Sequence, residues 1–444
     1  MIGEGKTRGQ VAILDIEACN NQNSAAIRVS ETEVSPEFVY YYLLGSYHKT
    51  RRTSSGNNQP ALNKERVRQM EMPLAPLPEQ RRIVAKLEEL FSKLDAGVAT
   101  VRRTQALLKR YRQSVLHAAV TGELTRAWRE AHPAPTETGA ALLARIRAER
   151  RAQWEAAQVA KRGGQLPLGE GWKSKYVEPE AVDASELPEL PSGWAWTTVE
   201  QLGVIGEQTV MTGPFGTSLG TSDFVTSGVP VLTIGCLTEG GIKLNKAVHI
   251  TEEKAAGLER YRLKKGDLLF SRMASVGRAG FVTSELDGIL FNYHIMRLRL
   301  DAETITPFFF LYYVRGAREV VSYLLRVNHG ATRDGINTEQ LLNLPVCLPP
   351  IAEQIEIIAE VERRLTVLDA LSKTLTDELK RAERLRQSIL HRAFTGRLVP
   401  QDATDEPATV LLARLRNEST APPKARKARE PKASPASKQL PMPL

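Results

Sequence analysis

Two stretches of the chain carry apolar residues at every third or fourth position over many helical turns. The first stripe occupies residues 83–115 and is interrupted by one polar residue, Gln105, and the second occupies residues 357–389. This spacing predicts two amphipathic helices, each about 65 Å long at ~1.5 Å per residue. A single stripe of this kind would indicate a helix that covers a core. Two stripes in one chain instead favour two helices that pack on each other as an antiparallel coiled coil.

Each stripe belongs to an internal repeat, and such a repeat constrains the fold more strongly than any local pattern. Residues 79–124 align without a gap onto residues 353–398, so that Glu79-Gln80 matches Glu353-Gln354. Downstream, residues 142–147 match residues 411–416, and upstream a drifting offset sets Met1 opposite Met273. The chain is therefore predicted to contain two copies of one unit, related by a pseudo-twofold internal repeat.

The two copies differ in what precedes their helices. The second copy begins near Leu187, so residues 187–272 have no counterpart in the first copy. We expect the first module to lack the front of its domain. A misplaced start, a gene fragment and a functional half-module remain open as explanations.

The segment before the second helix has the pattern of a mixed module. Short β-rich runs at 229–234, 267–270, 280–282 and 294–300 are separated by Gly and Pro turn signals, and helical stretches follow at 306–326 and 337–343. This predicts an α+β fold with two β-rich modules that alternate with the two long helices. The predicted domains are a partial first module at 1–76, a first long helix at 77–124, a linker with a short helix at 125–186, a complete second module at 187–349, a second long helix at 350–398, and a C-terminal segment at 399–444 that ends in a basic tail expected to be disordered.

Composition narrows the class of protein. Apolar residues make up 42% of the 444 residues and charged residues 25%, with a net charge of +9. This balance is typical of a folded protein and permits a polyanionic partner such as DNA. The three cysteines, Cys19, Cys236 and Cys347, are far apart, which argues against a zinc site and a disulfide framework. No apolar run reaches the length of a membrane span and no signal peptide opens the chain, so a cytoplasmic location is expected.

Motifs of enzyme active sites are missing from the sequence. Residues 3–7, Gly-Glu-Gly-Lys-Thr, resemble the end of a phosphate-binding loop but have no earlier glycine and no preceding strand. The chain has no dinucleotide fingerprint, zinc-protease or nucleophile-elbow motif, and no base-holding tetrapeptide of adenine methyltransferases. His117 and His391 near the helix ends are expected to be structural, and Asp95 and Asp369 to be polar groups on a helix surface. We therefore predict that the chain is not a catalyst and binds no metal or cofactor itself.

With this repeat, the chain resembles the specificity (S) subunit of type I restriction–modification systems. The resemblance rests on residues 187–194 (Leu-Pro-Glu-Leu-Pro-Ser-Gly-Trp), residues 213–219, residues 266–270, the Pro-Pro-Ile-Ala-Glu-Gln of residues 349–354, and the Arg-Gln-Ser motif that recurs at 112–114 and 386–388. It covers nearly the whole chain. The missing front of the first module departs from the family pattern and puts the function of that module in doubt.

The resemblance implies a division of labour between subunits. Two target-recognition domains each read one half of a split DNA target, while the long helices space them and dock methyltransferase subunits. Restriction subunits join the complex. Adenine-N6 methylation from S-adenosylmethionine, and cleavage that uses ATP and Mg, belong to those partners. The recurring pairs Arg112-Gln113 and Arg386-Gln387 are hypothesised to dock partner helices.

Two loops of the second module and one of the first are predicted to contact DNA. Arg bonds guanine and Asn or Gln bonds adenine in the major groove, and small residues allow the backbone to approach closely. The candidates are Thr212, Thr217 and Ser218 in residues 212–222; Arg326, Asn328, His329, Thr332 and Arg333 in residues 326–337; and Arg51, Arg52, Asn57, Asn58 and Gln59 in residues 51–63. For each of them the alternative is a solvated loop side chain.

Other functions remain as alternatives. They are an independent nuclease or methyltransferase, a purely structural coiled-coil protein, a specificity subunit of a related system of another type, and a truncated, non-functional specificity subunit. The sequence does not reveal the bases of the target.

Overall fold

A computed structural model describes residues 1, 7–29, 32–52, 62, 64–165, 169–238, 240–272, 278–328 and 335–420. The chain divides into two units. Unit 1 consists of Met1–Arg102 and Thr376–Leu444, and unit 2 consists of Arg103–Leu375. Each long helix contributes one half to each unit.

The described helices, in chain order, are α1 (Pro36–Gly45), α2 (Tyr47–Arg52), α3 (Lys64–Arg68), α4 (Leu77–Val120), α5 (Arg126–Ala131), α6 (Gly139–Ala160), α7 (Glu252–Ala256), α8 (Pro307–Gly316), α9 (Arg318–Asn328), α10 (Thr338–Leu342), α11 (Ile351–Phe394) and α12 (Ala408–Thr420). The described strands are β1 (Ala195–Thr198), β2 (Val210–Thr212), β3 (Val229–Leu232), β4 (Leu237–Thr238), β5 (Gly241–Ile242), β6 (Val248–Ile250), β7 (Leu268–Ser271), β8 (Ala279–Phe281), β9 (Leu290–Phe291), β10 (Ile295–Leu298) and β11 (Pro345–Leu348).

The long helices α4 and α11 end in the same way. A Thr-Gly pair follows each apolar stripe, and the glycines Gly122 and Gly396 adopt φ values of 73° and 70°. A residue with a side chain is strained in this left-handed conformation, which terminates helices and favours glycine. The recurring Thr-Gly pair therefore terminates both long helices through the left-handed conformation of its glycine.

Segments of the two helices run antiparallel within each unit. In unit 1, Ile83 and Leu87 of α4 share a core with Leu390 and Ala393 of α11. In unit 2, the opposite ends meet, and Val115 and Leu116 of α4 share a core with Ile357 and Val361 of α11. The predicted antiparallel pairing of the two helices is confirmed.

The module of unit 2 is built on a four-stranded antiparallel sheet with the order β2-β10-β7-β8. Along β7, Leu268 and Phe270 belong to one hydrophobic core and Leu269 belongs to another. Side chains of a strand alternate between the two faces of a sheet, so this sheet separates the two cores. The first core extends to α8 and the long helices. The second contains the three-stranded sheet β6-β3-β9, and the pairs β1–β11 and β4–β5 complete the strands.

The module of unit 1 has less regular structure. Its described residues before α4 form α1, α2 and α3 together with loops, and none of the strands named above falls among them. The α+β class is confirmed for the chain, and the named strands all lie within residues 195–348. In the alignment of the two copies, the first copy begins opposite position 273. Most of the strand-forming residues of the second copy precede that position.

We call two residues or two helices twins when they occupy equivalent positions in the two copies of the repeat. The helices α1 and α8 are twins, and both begin with proline and end with glycine. A Cβ on Gly45 would lie 3.2 Å from Leu390 Cβ, and a Cβ on Gly316 would lie 2.5 Å from Leu116 O. Leu116 and Leu390 are themselves twins, so the same glycine–leucine approach occurs in each unit.

A pair of twin glutamines fixes the start of each long helix. Gln354 accepts from Thr306 N (2.8 Å) and donates to Thr304 O and Pro349 O. Its twin Gln80 accepts from Ser35 N (3.3 Å) and donates to Ala75 O (2.9 Å). Both side chains are fully buried. Because buried amide groups need hydrogen-bond partners, these glutamines tie the loop before each long helix to the twin helices α1 and α8.

Candidate nucleic-acid interface

One end of the four-stranded sheet in unit 2 brings three distant segments together. Register pairs Met296 with Thr212 and Ile295 with Ser271, so the ends of β2 and β7 meet the start of β10. Residues 213–224, Arg272 and residues 292–294 are the loop segments that continue from these strand ends. Loops at the end of a rigid sheet are common positions for binding residues.

These segments form a cleft of about 770 Å³. Its lining combines aromatic, basic and small residues: Thr212, Phe215, Gly216, Leu219, Gly220, Thr221, Phe224, Arg272, Asn292, Tyr293 and His294. Phe215 is 67% exposed and Tyr293 is 36% exposed. Exposed aromatic rings beside a basic side chain are suited to contact bases and sugars of a nucleic acid.

The loop after β2 is held in a defined shape. Gly213 N donates to Ile295 O (3.2 Å), and a Cβ on Gly213 would lie 2.4 Å from Asn292 O, so only glycine allows this approach. At the other end of the loop, Asp223 accepts from Gly220 N (2.8 Å) and pairs with Lys254 (3.2 Å). The exposed part of the loop between these contacts therefore projects from two fixed ends.

Arg272 and His294 form the polar side of the cleft. Arg272 N donates to His294 O (3.0 Å), and Arg272 Nε donates to Ile336 O (3.1 Å). The terminal Nη groups of Arg272 have no hydrogen-bond partner among the residues that the structure describes. Burial, and then the charge of Arg272, lower the pKa of His294, so its ring is neutral at pH 7. Asn292 Oδ1 accepts from His294 N (3.2 Å) and orients that residue.

Sequence reasoning missed Arg272, Asn292, Tyr293 and His294. Arg272 lies 60 positions from Thr212 in the sequence, and only the strand register joins them. One signal was present: Asn-Tyr-His interrupts two apolar runs at residues 289–296. A polar and aromatic interruption between two buried strands is typical of a loop that carries function.

The predicted residues of the loop 212–222 have different surroundings. Thr212 Oγ1 lies 3.2 Å from Thr338 Oγ1, which links β2 to α10. Thr217 and Ser218 are exposed in the short 3-10 turn between Gly213 and Asp223. Thr217 and Ser218 are therefore exposed to solvent, and their contact with DNA stays a prediction, while Thr212 holds the loop in position.

Arg326 lies in a part of unit 2 that is separate from the cleft of Arg272. Its Nη1 pairs with Glu186 Oε2 at 2.6 Å, and its guanidinium lies 5.9 Å from the centre of the Tyr323 ring. It lines a cleft of about 990 Å³ between residues 180–188 and α9, and it does not line the cleft of Arg272. The side chain of Asn328, together with His329, Thr332 and Arg333, lies outside the described residues.

In the first module, the structure describes Arg51 at the end of α2. Its Nη1 donates to Tyr47 Oη (2.7 Å), and its backbone oxygen accepts from Arg8 Nη2 (3.2 Å). The side chain of Arg52, and the residues Asn57, Asn58 and Gln59, lie outside the described residues. The prediction of DNA contacts there stays a prediction.

The residues predicted to dock partner helices include two arginines with contacts inside the helix pair. Arg112 pairs with Asp369 in unit 2, and its twin Arg386 pairs with Asp95 in unit 1. Asp95 and Asp369 are twins as well, so the two ion pairs obey the pseudo-twofold repeat. Gln113 is exposed and Gln387 is half-buried. The arginines stabilise the antiparallel pair, and their role in docking remains a prediction.

Other features predicted from the sequence include a histidine near a helix end and a segment that resembles the end of a phosphate-binding loop. His117 Nδ1 lies 3.2 Å from Gly316 O, a structural contact at the end of α4. Of the loop at residues 3–7, only Thr7 is described. Within the described ranges, no group of three or more His, Cys, Asp or Glu residues is arranged to hold a metal ion. None of the helices in those ranges has the length and apolarity needed to cross a membrane.

Several known proteins are similar to this chain in sequence, and solved structures are similar to it in fold. The family model described as type I restriction modification DNA specificity domain matches residues 1–99 and 217–381. The type I restriction enzyme EcoBI specificity subunit of Escherichia coli is 25% identical over 409 residues, which span 90% of this chain and 75% of that protein. The StySPI specificity subunit of Salmonella potsdam is 28% identical over 384 residues, 85% of this chain and 68% of that protein.

A solved structure has a similar fold. It comes from a study of complex assembly and conformational transition of the type I R-M system, with a TM-score of 0.54 and 20% identity over 82% of this chain and 72% of that one. At this level of identity the similarity shows the fold alone.

Proposed function

The chain belongs to the type I restriction–modification DNA specificity family, and on this basis we propose that it recognises a bipartite DNA target for partner subunits that carry out the chemistry. It is a specificity subunit and not a catalytic one. The observation that carries the proposal is the cleft of unit 2, where Arg272, Tyr293, His294 and the exposed turn with Phe215 meet at one end of a sheet.

The chemistry of this cleft suits the edges of base pairs. The Nη groups of Arg272 match the two acceptors of guanine in the major groove. A neutral His294 has one donor and one acceptor nitrogen, so it is able to accept from an amino group of cytosine or adenine as well as to donate. Thr217 and Ser218 add hydroxyl groups, and Lys or Arg contacts to phosphate would supply most of the affinity. We propose that this cleft reads one half of the target.

The other half of the target is assigned to the first module. In the sequence, Arg51 and the residues that follow it align with residues 326–337 of the second module.

Partner subunits are proposed to dock on the long helices. Large apolar side chains of the helix pair in unit 2 are about half exposed: Leu107, Tyr111, Val367 and Leu371. Exposed apolar side chains grouped on one pair of elements are typical of protein interfaces. We propose that a methyltransferase subunit covers them, with S-adenosylmethionine bound in that subunit. ATP and Mg would be bound in restriction subunits, and the complex would work in the cytoplasm.

The proposal is tested by binding the complex of this chain with its methyltransferase subunit to fragments of DNA. We expect one class of fragment to bind about a thousandfold more tightly than random DNA. The chain alone is expected to transfer no methyl group from S-adenosylmethionine. Equal affinity for all fragments, or methyl transfer by the chain alone, would overturn the proposal. Leu107→Glu and Leu371→Glu should weaken capture of the methyltransferase subunit, whereas Lys93→Glu on unit 1 serves as the exposed control.

A further inference from the structure

The loop after β2 exposes one large apolar side chain at its tip. Phe215 is 67% exposed, and the three residues that follow it, Gly216, Thr217 and Ser218, are exposed as well. These three residues are small, so the ring has no bulky neighbour on the tip. A single exposed apolar residue is ordinary on a protein surface, so the setting of this ring matters more than its exposure.

The tip is held in place by the residues on both sides of it. Gly213 is buried, and its backbone N donates to Ile295 O (3.2 Å). Leu219 is 4% exposed and belongs to the second core of the module. Between these contacts, Ser218 N donates to Phe215 O (3.2 Å) and closes a short 3-10 turn. The ring is therefore positioned by the protein before a ligand binds, which lowers the entropic cost of binding.

The other aromatic residues of the cleft are engaged within the protein. The ring of Tyr293 lies 3.9 Å from the ring of His294, measured between their centres. Phe224 is packed against the second core of the module. Phe215 has no ring contact with an aromatic or basic side chain among the described residues. Its ring therefore has an apolar face that is open to a ligand in the cleft.

Polar groups line the same cleft as this ring. Arg272, Asn292 and His294 offer hydrogen-bond donors and acceptors to the edges of bases. In the major groove, the base pairs present donors, acceptors and one apolar substituent, which is the C5-methyl group of thymine. An aliphatic or aromatic side chain forms no hydrogen bond with the donors and acceptors. The methyl group is therefore the feature of a base edge that the ring of Phe215 complements.

We propose that Phe215 is a specificity-determining residue, which packs against the C5-methyl group of a thymine in the half of the target that unit 2 reads. This role rests on the proposed function of the cleft, because the cleft must face the major groove. The thymine belongs to either strand. It lies near the base pair that Arg272 contacts, since both side chains line one cleft of about 770 Å³.

The two kinds of contact in the cleft differ in how strongly they discriminate between bases. A wrong base opposite Arg272 leaves polar groups unpaired, and a bidentate contact of this kind discriminates from about fivefold to more than a hundredfold. A base without the methyl group costs Phe215 only the burial of one methyl group, which is worth about fourfold in affinity. The thymine is therefore expected to be a weaker determinant of the target than the guanine.

The test uses labelled duplexes that carry the target selected by the complex of this chain with its methyltransferase subunit. Each thymine in the half of the target that depends on Arg272 is replaced in turn by deoxyuridine, which lacks only the methyl group. At one position the replacement should weaken binding of the native complex about fourfold. In a complex with Phe215→Ala, the thymine and deoxyuridine duplexes should bind equally at that position.

Two variants serve as controls. Phe215→Leu keeps an apolar side chain on the tip and should retain a preference for thymine. Leu244→Ala removes an apolar side chain of unit 2 that is 44% exposed and does not line this cleft, and should leave the preference unchanged. Because deoxyuridine also alters base stacking, the criterion is the coupling between the change in the protein and the change in the DNA.

Three results would overturn the assignment of Phe215. They are a half-target without a thymine, a thymine preference that Phe215→Ala leaves unchanged, and a loss of affinity from Phe215→Ala that is equal for both duplexes. In the last case the ring would contact a sugar or stack on a base. In each case the complex still selects a sequence, whereas failure of the proposed function would remove sequence selection and would overturn both.

Discussion

The two long helices begin with the same dipeptide, Glu79-Gln80 and Glu353-Gln354, in two different surroundings. The glutamines make equivalent bonds in both units, each joining the preceding loop to its twin helix, α1 or α8. The glutamates do not. Glu353 has three donors from two separate segments, whereas Glu79 has none among the described residues.

The difference shows which part of a repeated motif is independent of its context. A glutamine whose partners lie within its own copy keeps its role wherever the copy occurs. The donors of the glutamate come from the front of the module and from the segment after the other long helix. The glutamate loses these donors when those segments differ between the copies. Substitutions of twin residues separate these two situations.

The largest difference is expected between Glu353→Leu and Glu79→Leu. The first change leaves the guanidinium of Arg129 and the indole N–H of Trp194 without their acceptor, at a cost of about 3 kcal/mol in the free energy of unfolding of unit 2. All five tryptophans lie in unit 2, so urea unfolding followed by tryptophan fluorescence reports on that unit. Glu79→Leu removes a carboxylate that has no hydrogen-bond donor among the described residues and should not lower the helical stability measured by circular dichroism. Equal destabilisation by both substitutions would contradict the comparison.

The next effect concerns the cleft of the second module, which Arg272 lines. Arg272→Ala should weaken binding to the cognate DNA by about 1–3 kcal/mol, the contribution of one bidentate contact to a base pair. Arg326→Ala is the matched control, because this exposed arginine is paired with Glu186 and lines another cleft. A titration of labelled duplex at fixed salt compares the two variants. A greater loss of DNA affinity from Arg326→Ala would assign the DNA interface to Arg326 and the residues that follow α9.

A smaller difference is expected between the twin glycines. Gly316→Ala places a methyl group 2.5 Å from the backbone oxygen of Leu116, which is unable to move without its helix, and should cost about 1–3 kcal/mol. Gly45→Ala meets only the side chain of Leu390 at 3.2 Å, and the gain in helix propensity offsets most of the strain. Thermal unfolding of the two variants checks this order. A lower melting temperature for Gly45→Ala than for Gly316→Ala would refute it.

The smallest effects belong to the twin ion pairs of the long helices. Arg112→Ala and Arg386→Ala each remove a solvent-exposed pair, at a cost of about 1 kcal/mol or less that salt diminishes. Arg386 also lies 4.5 Å from the centre of the Phe91 ring, so its loss should be the greater of the two. Urea unfolding at low and high salt measures both. Identical losses at both salt concentrations would show that the ion pairs contribute nothing.

Much of the fold follows from the sequence because the repeat is local and periodic. The stripe of apolar residues locates both helices, and the Thr-Gly pairs explain where they end, since Gly122 and Gly396 adopt the left-handed conformation. Both structured helices are shorter than the segments predicted at 77–124 and 350–398, because the chain turns at these glycines.

The candidate site follows from the sequence only in part. Glycines mark the loop of Thr217 and Ser218, so the sequence proposes these residues as candidates, and their contact with DNA stays a prediction. The sequence does not point to Arg272 and His294, because the register of β2, β7 and β10 brings them to that loop from distant positions. The sequence also does not predict the donors of Glu353, since they come from α5, its N-cap and the residue before β1. Contacts of this kind depend on tertiary pairing and leave no periodic signal in the chain.

The most direct test of the account is selection of duplexes from a random pool by the complex of this chain with its methyltransferase subunit. The native chain should enrich a motif with two separated parts. Arg272→Ala and His294→Ala should abolish the base preference in one part and leave the other unchanged, because the cleft of unit 2 reads a single half of the target. An unchanged motif, or equal loss of both parts, would contradict the assignment of DNA reading to this cleft.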